Sequence, residues 1–331
     1  MVHPLGIDNT TRISLLRSMK RLRAVEETIA ERYGEWQMRC PVHLSTGQEA
    51  VSAAAGAVLT KQDYAVSGHR AHTHYLAKGG SLPGMLAEIY GKGTGCSSGK
   101  GGSMHLIDES VGFMGSTAIV GGTIPVGVGL GLSLKLQKKP YLSCVFLGDG
   151  ACEEGVFFES VNFAVLKKLP ILFVCENNLY SVYSHLKARQ PEGRRIFEMV
   201  RGMGLETCWV DGNDVEQSYT VLSKAARSVR DGLGPQFVEL ATYRWREHCG
   251  PNFDNHIGYR TESEYLEWKE KDPLLLYSKA LLQAGVVTEG QIKSMDEEIQ
   301  SEVAEAFKKA LQASPPQKEE VFRHLYNEEC P

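Results

Sequence analysis

No apolar run in this chain is long enough to span a bilayer, and the amino terminus lacks the basic-then-apolar pattern of a secretory signal. A soluble, cytoplasmic protein is the expectation. Charge of one sign is also scarce: 36 basic residues stand against 40 acidic ones, for a net of −4, with neither a basic stripe nor an acidic tail. Nucleic acid and membrane are thereby excluded as primary partners. Cys-x-x-Cys spacing is missing among the eight cysteines, at 40, 96, 144, 152, 175, 208, 249 and 330. They read as small core residues and free thiols in a reducing compartment, with no structural zinc site expected.

What the chain does contain is enough apolar material, 42% of 331 residues, to bury a large core as one α/β domain or as a domain with an appendage. Residues 144–147 and 171–175 are apolar on both faces, the pattern of parallel strands covered by helices on each side. Between them lie a Gly-Asp-Gly turn at 148–150 and a helical pattern over 154–167; Asn177-Asn178 follows the second run. A right-handed crossover places both carboxyl ends at one sheet edge, so Asp149 and Asn178 converge. One carboxylate, one amide oxygen and a loop carbonyl are too few for an all-protein metal cage. They suit magnesium completed by phosphate oxygens and water. Gly148 and Gly150 allow close backbone approach, and the amides of Gly150 and Ala151 can donate to a phosphate. The implied ligand is a diphosphate with its metal; the plain alternative is a tight turn before a capped helix.

Gly148-Asp149-Gly150 followed by Asn177-Asn178, with the 26 residues 151–176 between, resembles the thiamine diphosphate binding motif. A second likeness lies in His43-Leu-Ser-Thr-Gly-Gln-Glu-Ala50, bracketed by turn residues Pro41 and Gly47. It resembles the alpha subunit of the first component of 2-oxo acid dehydrogenase complexes, nearest to the pyruvate and acetoin branches.

Residues 67–80 carry His69, His72 and His74 around Arg70. Zinc on those three is disfavoured, because no carboxylate or cysteine stands at a customary spacing and Arg70 repels a cation. The planar guanidinium suits a diphosphate oxygen better. In the resembling family a Tyr-Arg pair here contacts the diphosphate and a nearby histidine faces the reacting centre. Arg70 and His72 carry over, while His69 stands in the tyrosine's place. Residues 95–106 have the glycines of a phosphate loop but not its Gly-Lys-Ser/Thr ending. They resemble the family's loop at the active-site mouth, ordered by Ser103 and His105. Gly127 and Gly131 in the helical pattern after Gly115 each destabilise it by roughly 1 kcal/mol against alanine, so close packing is expected to need them. Helix-to-helix approach is the simplest reason, at a subunit interface or within the domain. Ala118-Ile-Val-Gly121 matches the family segment whose backbone holds the aminopyrimidine ring, pointing to Ala118 and Val120.

Residues 181–195, with Arg189, Arg194 and Arg195, read as an active-site loop that is mobile until cofactor binds. Strands are expected at 207–210 and 236–241 around a helix over 215–229. Residues 242–250 then resemble the family's Tyr-Arg-x-x-x-His segment, which assigns Arg244 and His248. Cys249 stands where animal relatives carry a phosphorylatable serine, so that kinase switch is expected to be absent. Leu15 to Ile29 form an amphipathic stripe, and Thr288 with Gln291 caps a last helix before Pro315-Pro316.

The resemblance implies a thiamine diphosphate-binding α/β fold of the transketolase type, a parallel sheet flanked by helices. Three segments are expected: a helical 1–35, the cofactor domain 36–265 and a helical 266–331. Thiamine diphosphate and Mg2+ are the implied cofactors, with Asp149, Asn178 and the Tyr180 carbonyl on the metal. His69, Arg70, Ala118, Val120, Gly148, Gly150 and Ala151 are the further cofactor contacts, and His72, His248 and Arg244 the catalytic set. The carboxylate that this family places at the pyrimidine comes from a second polypeptide, so a beta subunit in an α2β2 heterotetramer is implied. The expected reaction decarboxylates a 2-oxo acid and reductively acylates a lipoyl group on a partner acyltransferase. Cleavage of acetoin is the alternative, and a cofactor-binding scaffold without turnover the non-enzymatic one.

Overall fold

A computed structural model describes residues 6–323. Helix α1 (Asn9–Tyr33) begins where Asp8 accepts a hydrogen bond from the Thr11 amide at 2.8 Å, and it buries Leu15, Leu16, Met19, Leu22, Val25 and Ile29 as one stripe. The chain turns at Gly47 and continues through α2 (Glu49–Val58), β1 (Tyr64–Ser67), α3 (His72–Ala77) and α4 (Leu82–Ile89). After β2 (Phe113–Ser116) and α5 (Thr123–Leu136) comes β3 (Ser143–Gly148). One 3-10 stretch, Asp149–Glu153, leads into α6 (Gly155–Leu166) and then β4 (Ile171–Asn177). A hairpin of β5 (Tyr180–Ser181) and β6 (Ser184–His185) precedes α7 (Leu186–Arg189) and α8 (Ile196–Gly202). The sheet finishes with β7 (Glu206–Asp211), α9 (Val215–Arg230) and β8 (Gln236–Ala241), and α10 (Glu262–Lys269), α11 (Pro273–Gln283) and α12 (Glu289–Gln312) close the fold.

Six strands form one all-parallel sheet in the order β2-β1-β3-β4-β8-β7. β3 and β4 lie side by side, with Val145 opposite Phe173, and β4 is buried along its whole length. Their all-apolar sequences follow from cover on both faces. One face carries a core shared by α1, α2, α9 and α12; the other carries α5, α6 and α8. From β1 the chain steps outward to β2, whereas from β3 it steps the opposite way to β4. The loops leaving the carboxyl ends of β1 and β3 therefore part, opening a crevice at the switch point.

The expected strands lie within β3, β4, β7 and β8, and the expected helix 215–229 lies within α9. The glycines of α5 serve a different contact from helix-to-helix approach. A Cβ on Gly127 would come within 2.8 Å of Val66 Cγ2, and one on Gly131 within 2.7 Å of Ile171 Cγ1, so the small residues let α5 lie directly on the sheet. Residues 181–195 are not without structure: left-handed backbone at Leu179 (φ 71°) and Val182 (φ 53°) reverses the chain into the β5–β6 hairpin. The capping box on α12 forms as read, Thr288 and Gln291 each bonding the other's backbone. The seven described cysteines are free, and Cys330 lies outside the described residues. Among the described residues no helix is long and apolar enough to cross a membrane.

Candidate active site at the carboxyl edge of the sheet

A cavity of about 180 Å³ occupies the switch-point crevice. Its wall is made by the loop after β3 (Gly148, Asp149, Gly150, Ala151), the turn after β4 (Asn178, Tyr180, Ser181), the turn after β1 (His69, Arg70), Ala118 and Val120 before α5, and His43, Gln48 and His248.

Asp149 is the first residue past β3 and is only 2% exposed. Arg189 of α7 donates to its carboxylate and, at 2.5 Å, to Glu153. Burial raises the Asp149 carboxyl above the usual range, and Arg189 pulls it part of the way back. Gly150 has to be small, since a Cβ there would meet Ser181 Oγ at 2.7 Å. Asn178 donates to Gln48 Oε1 at 2.9 Å and accepts from the Tyr180 amide at 3.2 Å. Asn177 is held from below: it donates to Glu239 Oε1 at 2.7 Å and accepts from the Leu179 amide at 3.1 Å. Glu239, buried on β8, also accepts from the Phe197 amide at 2.8 Å; burial pushes its carboxyl up, against the pull of those two donors. Tyr180 sends its hydroxyl to Glu264 at 2.8 Å, which fixes the main chain of that turn beside the cavity.

Arg70 is buried and donates to the carbonyls of Leu44 at 2.5 Å and His248 at 3.3 Å. Among the described residues it forms no ion pair with a carboxylate, and burial brings its guanidinium down to about 10. A buried guanidinium held only by carbonyls suits an anionic group. His43, His69 and His248 gather next to it, ring centres 4.7, 5.0 and 5.2 Å apart. Burial first and Arg70 second lower them to about 2, 4 and 3, so all three are neutral at physiological pH.

Two residues of the expected catalytic set stand off the cavity wall. His72 is fully buried behind it, with Nδ1 2.8 Å from Glu26 Oε1 and Nε2 2.7 Å from Ser103 Oγ, while Glu26 also accepts from the Ser45 amide at 2.6 Å. This chain ties α1, α3 and the segment before α2 to the loop that carries Ser103. Arg244 is likewise fully buried; it donates to the carbonyls of Arg246 at 2.7 Å and Val182 at 2.8 Å and to the Tyr259 hydroxyl at 2.8 Å. The trio 69, 72 and 74 does not converge, because His74 stacks on Phe146 at 4.0 Å and pairs with Ser67 Oγ at 2.8 Å.

The glycine-rich loop 95–105 is not a phosphate cradle, for its anion is its own neighbour. The buried carboxylate of Glu88, on α4, accepts the amides of Ser97 (2.8 Å), Gly99 (2.8 Å), Gly101 (2.6 Å) and Gly102 (3.1 Å). His43 and Glu239 escape a reading of the sequence. The first sits in the quoted segment 43–50 without a spacing signal, and the second is, with Gln236, one of two polar residues in a strand that is otherwise apolar.

Sheet order, the switch-point crevice and the placing of Asp149, Asn178 and Arg70 on its wall define an α/β protein whose cavity lies across the carboxyl edge of its sheet. The chain belongs to the dehydrogenase E1 component family, whose profile matches residues 17–319. It is 34% identical over 314 residues to the pyruvate dehydrogenase E1 component subunit alpha of Rickettsia felis, covering 95% of each chain. It is 36% identical over 320 residues to the mitochondrial subunit alpha of Dictyostelium discoideum, covering 96% of this chain and 83% of that one. With the chloroplastic subunit alpha-3 of Arabidopsis thaliana the identity is 35% over 322 residues, covering 95% and 74%.

Proposed function

We propose that this chain is the alpha-type subunit of a thiamine diphosphate-dependent 2-oxo acid dehydrogenase acting on pyruvate. The observation that carries the reading is the convergence of a buried carboxylate, an amide oxygen and an unpaired buried guanidinium on one crevice, in a chain whose named relatives are pyruvate dehydrogenase alpha subunits. The donor set fits a metal diphosphate: Asp149, the Asn178 amide oxygen and the Tyr180 carbonyl are hard oxygens suited to Mg2+. Arg70 and the amides of Gly150 and Ala151 suit the phosphate oxygens, with Gly148 leaving room and His69 beside them. The backbone of Ala118 and Val120 borders the space for the ring. Bound there, thiamine diphosphate supplies the carbon nucleophile with which a 2-oxo acid loses carbon dioxide and its acyl group passes to a lipoyl carrier.

The chain's own part is position and proton transfer. His248, held neutral by burial and Arg70, is placed to accept a proton once a bound anion offsets Arg70, a role worth roughly 100- to 10,000-fold in rate. His43, also neutral, offers a hydrogen-bond acceptor to a group in the cavity. His72 acts through Ser103, and Arg244 through Val182, each keeping a loop in place. Arg189 occupies the Asp149 carboxylate that the metal would take, so its side chain would have to release that oxygen for a metal to be held there. A beta-type partner in an α2β2 assembly is supported by the apolar side chains left on α5 and α6: Val126 (51% exposed), Leu136 (74%), Phe163 (37%) and Leu166 (71%), continuing to Ile119 (68%) near the mouth.

Titration of thiamine diphosphate with Mg2+ into the assembled protein tests the site, and a screen of pyruvate, acetoin and branched-chain 2-oxo acids tests the reaction. Binding that disappears in Asp149→Asn, with pyruvate turned over, is expected. Turnover of acetoin alone reassigns the substrate. Unchanged turnover in His248→Ala would make the chain a scaffold.

A further inference from the structure

Three imidazoles meet in the cavity although they come from separate parts of the chain: His43 ahead of α2, His69 after β1 and His248 after β8. Their ligating nitrogens all lie within 4.8 Å of one another. We propose that His43, His69 and His248 bind a zinc ion through nitrogen donors distinct from the oxygen donors of Asp149 and Asn178.

The donors select the ion. Imidazole nitrogen suits zinc, whereas carboxylate and carbonyl oxygen suit magnesium. Three histidines with an open fourth position form a recurrent zinc set. A tetrahedral ion with bonds of about 2.0–2.1 Å keeps its nitrogens roughly 3.3 Å apart, so the widest pair here closes by roughly 1.5 Å. Side-chain rotation supplies that, since His69 and His248 are only half-buried.

A second observation points the same way. His43 is 7% exposed, and its Nδ1 is buried without a hydrogen-bond partner among the described residues. An orphaned buried nitrogen is a standing penalty that a ligand removes. His72 differs, with both nitrogens engaged by Glu26 and Ser103; His74 pairs its Nδ1 with Ser67 and keeps its Nε2 3.2 Å from the Glu176 carboxylate, away from the triangle. The triangle rings are neutral, which leaves a lone pair on each.

Arg70 is the main opposing charge. Its guanidinium is tied to the carbonyls of Leu44 and His248, so it braces the segments bearing His43 and His248 while repelling cations. At the triangle, where among the described residues no carboxylate offsets that repulsion, ions held mainly by charge, such as magnesium and calcium, are disfavoured. The repulsion weakens, without abolishing, the hold on an ion bound by donation from nitrogen. Because all three rings line the cavity, zinc takes space there and competes with a small molecule bound in it.

Metal binding needs neither cofactor nor substrate, so the test stands apart from the function proposed above. The purified protein in its native assembly, stripped with a chelator, is titrated calorimetrically with zinc and spectroscopically with cobalt(II). One zinc per chain and the intense visible bands of tetrahedral cobalt are expected. Partners outside the ligand set of a metal are worth roughly 10- to 100-fold in affinity, so loss of a ligand in His69→Tyr or His43→Gln weakens zinc by at least about tenfold. Asp149→Asn leaves zinc affinity unchanged. The two histidine variants lie in different segments, so misfolding of one, seen by circular dichroism, leaves the other as the test. Unchanged zinc affinity in a folded histidine variant, loss in Asp149→Asn, or no binding by the parent protein overturns the assignment.

Discussion

Two alanines in the same helix should move stability in opposite directions. In Gly127→Ala the new methyl group would overlap Val145 Cγ2 and lie 2.8 Å from Val66 Cγ2. Both valines are fully buried on adjacent strands of the sheet, and a β-branched side chain there has little rotameric freedom to yield. Overpacking of this kind costs about 1–3 kcal/mol, while glycine-to-alanine in a helix interior returns about 0.5–1 kcal/mol. The net is a loss of up to about 2.5 kcal/mol. Gly129, two residues on, faces outward with nothing within 4 Å of its would-be Cβ. Alanine there keeps the whole propensity gain and stabilises by about 0.5–1 kcal/mol. Equilibrium urea denaturation of the purified chain, followed by circular dichroism, reads the sign directly from the two midpoints. Midpoints that move in the same direction would refute the claim that contact with the sheet, and not helical freedom, dictates glycine at 127.

Glu88→Gln places an amide among four backbone donors, so the loop 95–102 should loosen; faster amide hydrogen exchange there, with the β3 and β4 amides unchanged, is the expected pattern. His43 binds no proton in the fold until about pH 2, whereas its unfolded value is 6.5. Its contribution is therefore present above pH 6.5 and lost as pH falls below it, and His43→Gln should flatten the stability curve between pH 6 and 4 by about 1.4 kcal/mol per pH unit. Gly150→Ala pushes Ser181 out of its 2.7 Å position and should weaken cofactor binding in a calorimetric titration. Ser181→Gly in the same chain should restore it; failure of that rescue would mean that Ser181 is not what Gly150 accommodates.

The sheet was legible because β3 and β4 are apolar on both faces, a pattern that length and flanking glycines separate from a helix. Asp149 and Asn178 were legible because a crossover between adjacent parallel strands has one hand, which determines where their carboxyl ends point. The histidines were only half legible. Spacing grouped 69, 72 and 74, but α3 begins at His72 and sends its rings to different neighbours, while the triangle joins residues 26 and 179 positions apart in sequence. Separations of that size leave no periodic trace. Glu239 is hidden for a related reason: its partners Asn177 and Phe197 reach it only through the β4–β8 pairing and the start of α8.

The Glu88 carboxylate has a consequence for how far the cavity's neighbourhood can be rewritten. The loop 95–105 is held largely by its main chain, through amides that any residue but proline would offer, so its outward side chains are largely free of structural duty. Ser98, with φ 57°, accepts glycine or asparagine, and replacing Lys100 gives up only the exposed 3.1 Å hydrogen bond that its Nζ donates to the Arg323 carbonyl. The fixed points are four glycines. Gly95 has no room for a Cβ against Glu88, and Gly99 combines φ 76° with the Lys92 carbonyl 2.8 Å from its would-be Cβ. Gly101 has no room against the His105 carbonyl, and Gly102 combines φ 59° with Cys40 Cβ at 2.8 Å. A library holding serine, glycine or asparagine at 98 and randomised at 100 should keep its fold across most members, whereas changing Glu88 alone, a residue no solvent touches, releases the whole wall.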